Sequence, residues 1–412
     1  MMKVIHKISE YFIPSLMSGM LVMGIMACST TSDSGEDDFG PPEDDTVIEA
    51  EMAFTRASYP NASDTRKFYM HGINNGTKAW VIRNVEYTKN KKTGIWKGSK
   101  AISWPEVPIT LSFYVVNPSF DIFDQTKSVI EYSKVNMVYN IPENASSQED
   151  ILYASMLNQD QNTNSKKVKF TFKHGLSYQR FKGQNSLGDK YEVIIKSITF
   201  CNIQTTGTMK YNQKTDNKIS WTVSTDEPYK TSTIDFVDGS GNVGVKLPTV
   251  ADYLSVDDYL LTIPQKNDLW KTAGKDDNHV SISDADTQKL HYWRIEAKII
   301  DTQETEATDD DTYLLGNANN DDPEKPEWGT VYMQPVAKEW KLGNTYLNTV
   351  GFTSSSLFNE EGINFFDALK SGGAEGIEIL GANNINTVIT TEEWGYEEDE
   401  LDLQLDTDAE NN

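Results

Sequence analysis

Residues 46–60 read TVIEAEMAFTRASYP, a stretch that alternates between apolar and mostly polar side chains. The apolar residues that fall on one side of an extended chain are Ile48, Ala50, Met52 and Phe54. This period of two predicts a half-buried β-strand. The alternation stops at Thr55 and Arg56, in a chain that contains only five arginines. We therefore expect a strand that ends next to an exposed arginine.

The same period of two recurs along most of the chain. Further runs of this kind cover residues 78–88, 108–118, 167–181, 191–203, 206–212, 258–265 and 291–300. Segments rich in Asn, Asp, Gly and Lys separate them, which is typical of turns. The pattern predicts an all-β protein made of sandwiches rather than an α/β fold. One short helix is predicted over residues 363–373, where INFFDALKSGG ends in glycine.

Composition excludes several classes of function. The 412 residues are enough for two domains, and an aromatic share of 11% is too high for a disordered chain. A net charge of −25 argues against binding to nucleic acid and against docking on anionic lipid. The histidines lack metal-ligand spacing and no nucleophile motif is present, so we expect no enzyme, no metal and no other cofactor. The acidic segments 308–312 and 317–324 are interpreted as solvated loops.

The N-terminus has the features of an export signal. A basic start, MMKVIHK, precedes a mostly apolar run over residues 11–27, which leads into IMAC at residues 25–28. An apolar residue, then alanine, then cysteine form a lipobox, so we predict a signal peptide over residues 1–27 and acylation of Cys28. Residues 28–45 are polar, acidic and rich in Pro and Gly, which favours a flexible tether. The other cysteine, Cys201, is predicted to be a small buried core residue.

The C-terminal region ends in an acidic extension. Residues 392–412 carry ten acidic residues and no basic ones. Within this extension, Leu401, Leu403 and Leu405 alternate with polar residues. Two interpretations remain open: a disordered acidic tail, which is common, or a strand that lacks a partner in its own subunit. The polar stretch 158–166 marks the predicted boundary between an N-terminal domain, residues 57–165, and a C-terminal domain, residues 166–391.

The tryptophans raise an alternative function, a monomeric surface lipoprotein that binds glycans. Exposed aromatic faces stack on sugars, and Trp96 and Trp270 lie near predicted turns. Trp80, Trp221 and Trp293 lie in strand-like runs and are predicted to be core or interface residues. A glycan binder is expected to stay monomeric, whereas a polymerising subunit is expected to form filaments.

Several short motifs, taken together and in order, resemble the fimbrillin family, the lipoprotein precursors of type V pilus subunits that include Mfa-like proteins. The motifs are the lipobox at Cys28, FTRAS at 54–58, ISWPEVPITLSFYVVNP at 102–118, ILYAS at 151–155, VKFTFKHGLSYQRF at 168–181, LLTIPQ at 260–265 and WKLGNTY at 340–346. Each motif is weak alone. The resemblance implies two transthyretin-like β-sandwich domains and a precursor held in the outer membrane by its lipid.

The resemblance also implies a route of assembly. A surface trypsin-like protease cuts after an arginine, the first strand leaves, and a segment of another subunit fills the vacated groove. The matching arginine is Arg56, with Ala57 as the new N-terminus and residues 46–56 as the end of the propeptide; Arg66 is the alternative site. The candidate donor strand contains Leu401, Leu403 and Leu405. The partners are other copies or related fimbrial subunits, and a host or glycan receptor; a role as tip or accessory adhesin stays open.

Overall fold

β-Strands are the dominant regular elements in the computed structural model, which describes residues 48–54, 67–90, 96–106, 108–164, 167–255, 258–267, 280–281, 289–302, 312–317, 327–333, 339–353, 378–379 and 385–393. The all-β prediction is therefore confirmed for these residues. Among them, no helix is both long and apolar enough to cross a membrane. The signal, the tether, the predicted helix at 363–373 and the acidic tail after residue 393 lie outside the described residues.

Short helical turns occur at Phe120–Ile122, Ala145–Ser147 and Gln161–Asn164. The strands, in chain order, are β1 (Glu49–Phe54), β2 (Lys67–Asn74), β3 (Trp80–Lys89), β4 (Trp96–Gly98), β5 (Leu111–Asn117), β6 (Val129–Glu131), β7 (Lys134–Asn140), β8 (Leu152–Gln159), β9 (Lys167–His174), β10 (Ser177–Ser186), β11 (Tyr191–Ile203), β12 (Thr206–Tyr211), β13 (Ile219–Val223), β14 (Lys230–Asp235), β15 (Val245–Lys246), β16 (Asp252–Tyr253), β17 (Leu260–Thr262), β18 (Gln265–Lys266), β19 (Val280–Ser281), β20 (Tyr292–Asp301), β21 (Thr312–Leu315), β22 (Gly329–Met333), β23 (Glu339–Trp340), β24 (Asn344–Thr353), β25 (Glu378–Ile379) and β26 (Ile385–Glu393).

The N-terminal half forms a closed seven-stranded sheet in the order β1-β4-β3-β2-β5-β8-β9. Neighbouring strands are antiparallel except β1 and β9, which run parallel. Alternate side chains of each strand point to the interior. The largest buried interior residues are aromatic: Phe68, Tyr87, Trp96, Phe113, Phe170 and Phe172. This closed sheet holds the candidate site.

A four-stranded sheet, β13-β12-β7-β6, packs on the outside of the closed sheet. Tyr211 of β12 contacts Tyr114 of β5 with ring centroids 5.2 Å apart. The Tyr211 hydroxyl donates a 2.8 Å hydrogen bond to the carbonyl oxygen of Val115. Both faces of β5 are therefore buried. This explains why the sequence of β5 is apolar at almost every position instead of at every second one.

The C-terminal half packs two further sheets against each other. One contains β16, β10, β24 and β26, and the other contains β14, β11, β20 and β21. Phe200 of β11 stacks on Trp293 of β20 at 5.0 Å, and Phe181 of β10 meets Trp293 edge-on at 5.9 Å. β26 pairs with β24 along its whole length.

The predicted domain ranges, 57–165 and 166–391, stay a prediction. β9 begins two residues after this boundary and pairs with β1 and β8 of the closed sheet. The strands that follow it include β12, which pairs with β7 from the N-terminal half. Sheets of the two halves are thus interleaved along the sequence.

Candidate strand-exchange site

β1 lies between β9 and β4 in the closed sheet. It pairs with β9 in a parallel register from Glu49 opposite Lys167 to Phe54 opposite Phe172. Its other edge meets β4 at the single pair Ala50–Trp96 within the described residues. β1 is therefore bound along its length on one side and only briefly on the other.

The inward face of β1 belongs to the core of the closed sheet. Ile48 is 3% exposed and Ala50 is 4% exposed, while Met52 is half-buried against the same core. The backbone N–H of Ile48 donates a 2.8 Å hydrogen bond to the carbonyl of Ile102. Phe54 lies in β1, but its side chain is outside the described residues.

The core around β1 is rich in aromatic rings. Phe68 is at the centre of this cluster, because its ring lies 5.0 Å from that of Trp96 and 5.5 Å from that of Phe172. Phe170, the neighbour of Met52 in the ladder, lies 6.0 Å from Phe68. If β1 left, this lining would lose its cover and become a hydrophobic groove.

Opposite charges face each other between β1 and β9 at Glu51 and Lys169. Glu49 is in register with Lys167, and Glu51 with Lys169. The Lys169 Nζ lies 3.8 Å from Glu51 Oε1, with both side chains more than half exposed. Such an exposed pair contributes little to stability. The pair instead helps to set the alignment of the two strands, since opposite charges on neighbouring strands favour one register.

The backbone of β9 presents an edge that β1 covers. The carbonyl of Thr171 accepts a 3.0 Å hydrogen bond from Asn217 Nδ2, on the side of β8. Asn217 also receives the backbone N–H of Ser155 in β8, so this loop bridges β8 and β9. Alternate residues of a strand direct their backbone groups to opposite sides. The groups of Phe170 and Phe172 therefore face β1, and they would be left without a strand partner if β1 left.

The start of β2 is held independently of β1. Glu86 of β3 accepts a 2.6 Å hydrogen bond from the Tyr69 hydroxyl and lies 3.1 Å from Lys67 Nζ. The hydrogen bonds from Tyr69 and Lys67 hold the pKa of Glu86 below its ordinary value. The bond to Glu86 in turn raises the pKa of Tyr69 to about 12. These contacts join the start of β2 to β3 and do not involve β1.

The sequence-predicted processing residues lie outside the described residues: Cys28, Arg56, Ala57, Arg66, Leu401, Leu403 and Leu405. Their place in the chain is still informative. Arg56, Ala57 and Arg66 fall between the end of β1 and the start of β2. The other three arginines, Arg83, Arg180 and Arg294, lie within strands β3, β10 and β20.

The tryptophans correct one expectation. Trp96 is 3% exposed and packs in the closed sheet, so the prediction of a sugar-contacting Trp96 is wrong. The turn predicted from the neighbouring residues was a misleading signal, because β4 directs this ring to the interior. Trp270 lies outside the described residues. Trp293 is a core residue as predicted, at 1% exposure.

A second concave surface lies beside β13, the edge strand of the four-stranded sheet. This groove has a volume of about 710 Å³ and is lined partly by Trp221, Tyr229 and Glu339. Gln204, which also lines it, is 4% exposed, and its Oε1 accepts no hydrogen bond from the residues that the structure describes. The groove thus combines aromatic rings with polar groups, as small-molecule sites commonly do.

Two other residues with reactive side chains, His174 and Cys201, have structural roles. His174 is buried at the end of β9 and is hydrogen-bonded through Nδ1 to Asp150 Oδ2, so its role is structural. Cys201 is buried in β11, as predicted. Within the described ranges, no three His, Cys, Asp or Glu side chains cluster in a way that could hold a metal ion.

Sequence reasoning missed the residues of β9 that accept β1. The row consists of inward Val168, Phe170 and Phe172 and outward Lys169 and Lys173. Their alternation was visible in the sequence, but the identity of the partner strand was not. Two strands more than a hundred residues apart meet only through the closure of the sheet.

Comparison with known proteins identifies the family. A sequence profile described as fimbrillin-like matches residues 55–363, which is more than half of the chain. The chain belongs to the fimbrillin-like family, as its motifs predicted. This membership supports a role as a fimbrial adhesion protein at the cell surface. The match begins directly after β1.

One solved structure in particular agrees with the fold. A crystal structure of a fimbrial protein from Bacteroides vulgatus is similar with a TM-score of 0.51 and 12% identity, over 85% of this chain and 99% of that chain. A tip fimbrial protein of Porphyromonas gingivalis with a C-terminal truncation has a TM-score of 0.36 and 8% identity, over 84% and 98% of the two chains. No curated protein matches the chain significantly.

Proposed function

We propose that this chain is a structural subunit of a surface fimbria, and that β1 is a removable strand. The observation that carries the proposal is the connectivity of β1. β1 fills the core and covers the edge of β9. Any cut between Phe54 and Lys67 separates β1, with everything before it, from the rest of the chain. Both arginines outside the described strands lie in that segment.

A single cut has two consequences. Cys28, the proposed lipid attachment site, and β1 lie on the same side of Arg56. Cleavage by a surface trypsin-like protease therefore frees the subunit from its outer-membrane anchor and makes β1 removable at once. A subunit that is still anchored is thus also blocked, because a paired edge does not recruit another strand.

Replacement of β1 is favourable on physical grounds. A donor strand regains the ladder with β9, and main-chain bonds together with alternate side-chain pockets are typical of strand addition. Each large apolar side chain it buries contributes about 1.5–3 kcal/mol. Each hydrogen bond adds roughly 0.5–1.5 kcal/mol net. Part of this gain offsets the cost of ordering the donor.

The donor that we propose is the segment with Leu401, Leu403 and Leu405 from a second copy or a related subunit. Its alternation matches that of β1, and the competing segment INTVIT of β26 already pairs with β24 in its own subunit. The mature product is a surface fimbrium that supports adhesion, without an enzymatic activity.

A second candidate function, glycan binding, rests on the groove beside β13. Trp221 and Tyr229 supply aromatic surface there, and Gln204 supplies a buried amide oxygen that has no partner among the described residues. The role is compatible with a tip or accessory adhesin. A glycan array with intact protein and a Tyr229→Ala variant tests it. A glycan bound by both equally, or by neither, contradicts this candidate.

Trimming in vitro tests the proposed function. The purified full-length chain is treated with an arginine-specific protease, and subunit ladders are followed by gel and electron microscopy. We expect monomers before cleavage and ladders after it. The double variant Arg56→Ala with Arg66→Ala should keep β1 and stay monomeric.

Arg83→Ala is the matched control, because Arg83 is exposed but lies within β3. It should be trimmed and should assemble like the original chain. Ladders of normal length from the double variant, or monomers from fully trimmed protein, would contradict the proposed function.

A further inference from the structure

The outward row of β9 has a specific pattern. Residues 169–173 read Lys-Phe-Thr-Phe-Lys. Lys169 and Lys173 are exposed, Thr171 is half-buried, and the two phenylalanines are buried in the closed sheet. β9 thus presents a positive charge, a neutral polar group and a second positive charge on its outer face.

The acidic tail contains the complementary pattern. Residues 402–406 read Asp-Leu-Gln-Leu-Asp. In an extended strand, alternate side chains point to opposite faces. With Leu403 and Leu405 turned inward, Asp402, Gln404 and Asp406 form an outer row of negative, neutral and negative groups. The two five-residue segments match position by position in charge and in polarity.

We propose that residues 401–406 of a second copy dock on β9 in one register, with Gln404 beside Thr171. Asp402 then lies beside Lys169 and Asp406 beside Lys173, in the parallel direction that β1 itself has. This inference rests on the proposed function and adds the alignment and the direction of the donor. In this alignment the donor occupies the position of β1. Leu401 takes the place of Ala50, Leu403 that of Met52, and Leu405 that of Phe54.

Neighbouring registers are less favourable. A shift of one residue turns the leucines outward and the aspartates into the core. A shift of two toward the start of β9 makes two charge pairs, at Lys167 and Lys173, but it leaves Leu401 ahead of the first residue of the strand. A shift of two the other way also makes two charge pairs, at Lys167 and Lys169, but it turns Asp399 into the core. The proposed register is favoured because it makes three such pairs, with Glu400 beside Lys167, and sets all three leucines opposite the inward row of β9.

Cysteine pairs test the register and the direction. Both segments are palindromic in pattern, so an antiparallel donor would place Asp406 beside Lys169. Neighbouring strands lie about 4.8 Å apart, which is within reach of a disulfide. One full-length variant carries Lys169→Cys and Asp402→Cys, and a second carries Lys169→Cys and Asp406→Cys. Both are trimmed, assembled, oxidised mildly and run on non-reducing gels.

We expect covalent ladders from the 169/402 pair and none from the 169/406 pair. A third variant, Thr171→Cys with Gln404→Cys, should link in either direction. Of the native cysteines, Cys201 is buried and Cys28 leaves with the propeptide. Ladders from 169/406 alone would overturn the parallel direction. Assembly without links from any of the three pairs would overturn the inference and leave the proposed function standing. Failure of every trimmed chain to assemble would overturn both.

Charge exchange gives a second test. Lys169→Glu with Lys173→Glu should slow assembly of the trimmed chain roughly tenfold, because two favourable pairs become repulsive. Adding Asp402→Lys and Asp406→Lys in the same chain should restore the rate. Lys134→Glu is the control, since Lys134 is equally exposed but lies on β7, in the four-stranded sheet and not beside the donor. An equal effect from the control, or no restoration, would contradict the alignment.

Discussion

Ala50 of β1 is in register with Trp96 of β4, and this is the one residue pair that joins the two strands within the described residues. On its opposite edge, β1 pairs with β9 through six consecutive residues. The strand is therefore held chiefly by β9 and by the core beneath it. Because only one of its two edges is paired along its length, β1 has few hydrogen bonds to break on the β4 side if the chain is cut after it.

Ile48→Ala should destabilise only the untrimmed protein. Ile48 is 3% exposed, and truncation of a buried isoleucine costs about 2–5 kcal/mol. After cleavage residue 48 is gone, so the trimmed variant should match the trimmed original. Chemical unfolding of both forms measures this. Glu51→Ala, at an exposed position of the same strand, is the control and should change the free energy of unfolding by less than about 1 kcal/mol. A destabilised trimmed Ile48→Ala protein would contradict the removal of β1.

Stability should fall between pH 6.5 and pH 4. Burial lowers the pKa of His71 to about 4, and burial likewise lowers the pKa of His291 to about 4. Each folded pKa lies below the unfolded value near 6.5, so the unfolded state binds protons first as the pH drops. The contribution of each neutral histidine is fully present above pH 6.5 and is lost toward pH 4. Between pH 7 and pH 5 the loss is about 2 kcal/mol for each histidine.

Urea unfolding at a series of pH values checks this expectation. His291→Gln should flatten the pH dependence of the free energy of unfolding, because one of the two titrating groups is absent. An unchanged pH dependence in that variant would show that His291 does not remain neutral in the folded protein.

Trp96→Ala should lower stability and should not act through a sugar site. The Trp96 ring packs 5.0 Å from that of Phe68 and the residue is 3% exposed. Its truncation leaves a cavity and should lower the free energy of unfolding by about 3–5 kcal/mol. The loss should occur before and after trimming, because β4 remains in both forms. Lys97→Ala, at the exposed neighbouring position, serves as the control. Glycan binding that is lost in a stably folded Trp96→Ala protein would contradict this role.

Deletion of residues 400–412 should leave the fold intact and prevent self-assembly. The deletion removes the proposed donor but leaves β9 and its groove. The trimmed variant should therefore accept the tail of an intact subunit and cap its growth. Mixing the variant with intact trimmed protein should shorten filaments in proportion to the variant added. Normal filaments from the variant alone would place the donor elsewhere in the chain.

The sequence predicted the class of fold because the period of two is a local signal. It held for β1, for β9 and for β20, where apolar residues recur at every second position. The pairing of β1 with β9 could not be predicted this way, because β-ladders join residues of distant sequence and any alternating strand is a plausible neighbour. The burial of Trp96 was missed for the same reason. Its sequence neighbours are of types that favour a turn, while its spatial neighbours, such as Phe68 and Phe172, come from distant parts of the sequence.

The intact mass and N-terminal sequence of the protein taken from the cell surface are the decisive test of whether β1 is removed. We expect assembled subunits to begin at Ala57, or at Lys67 if the cut follows Arg66, with the lipid left on the released propeptide. An acylated Cys28 at the start of every molecule, including those in filaments, would show that β1 is permanent and that assembly does not depend on its removal.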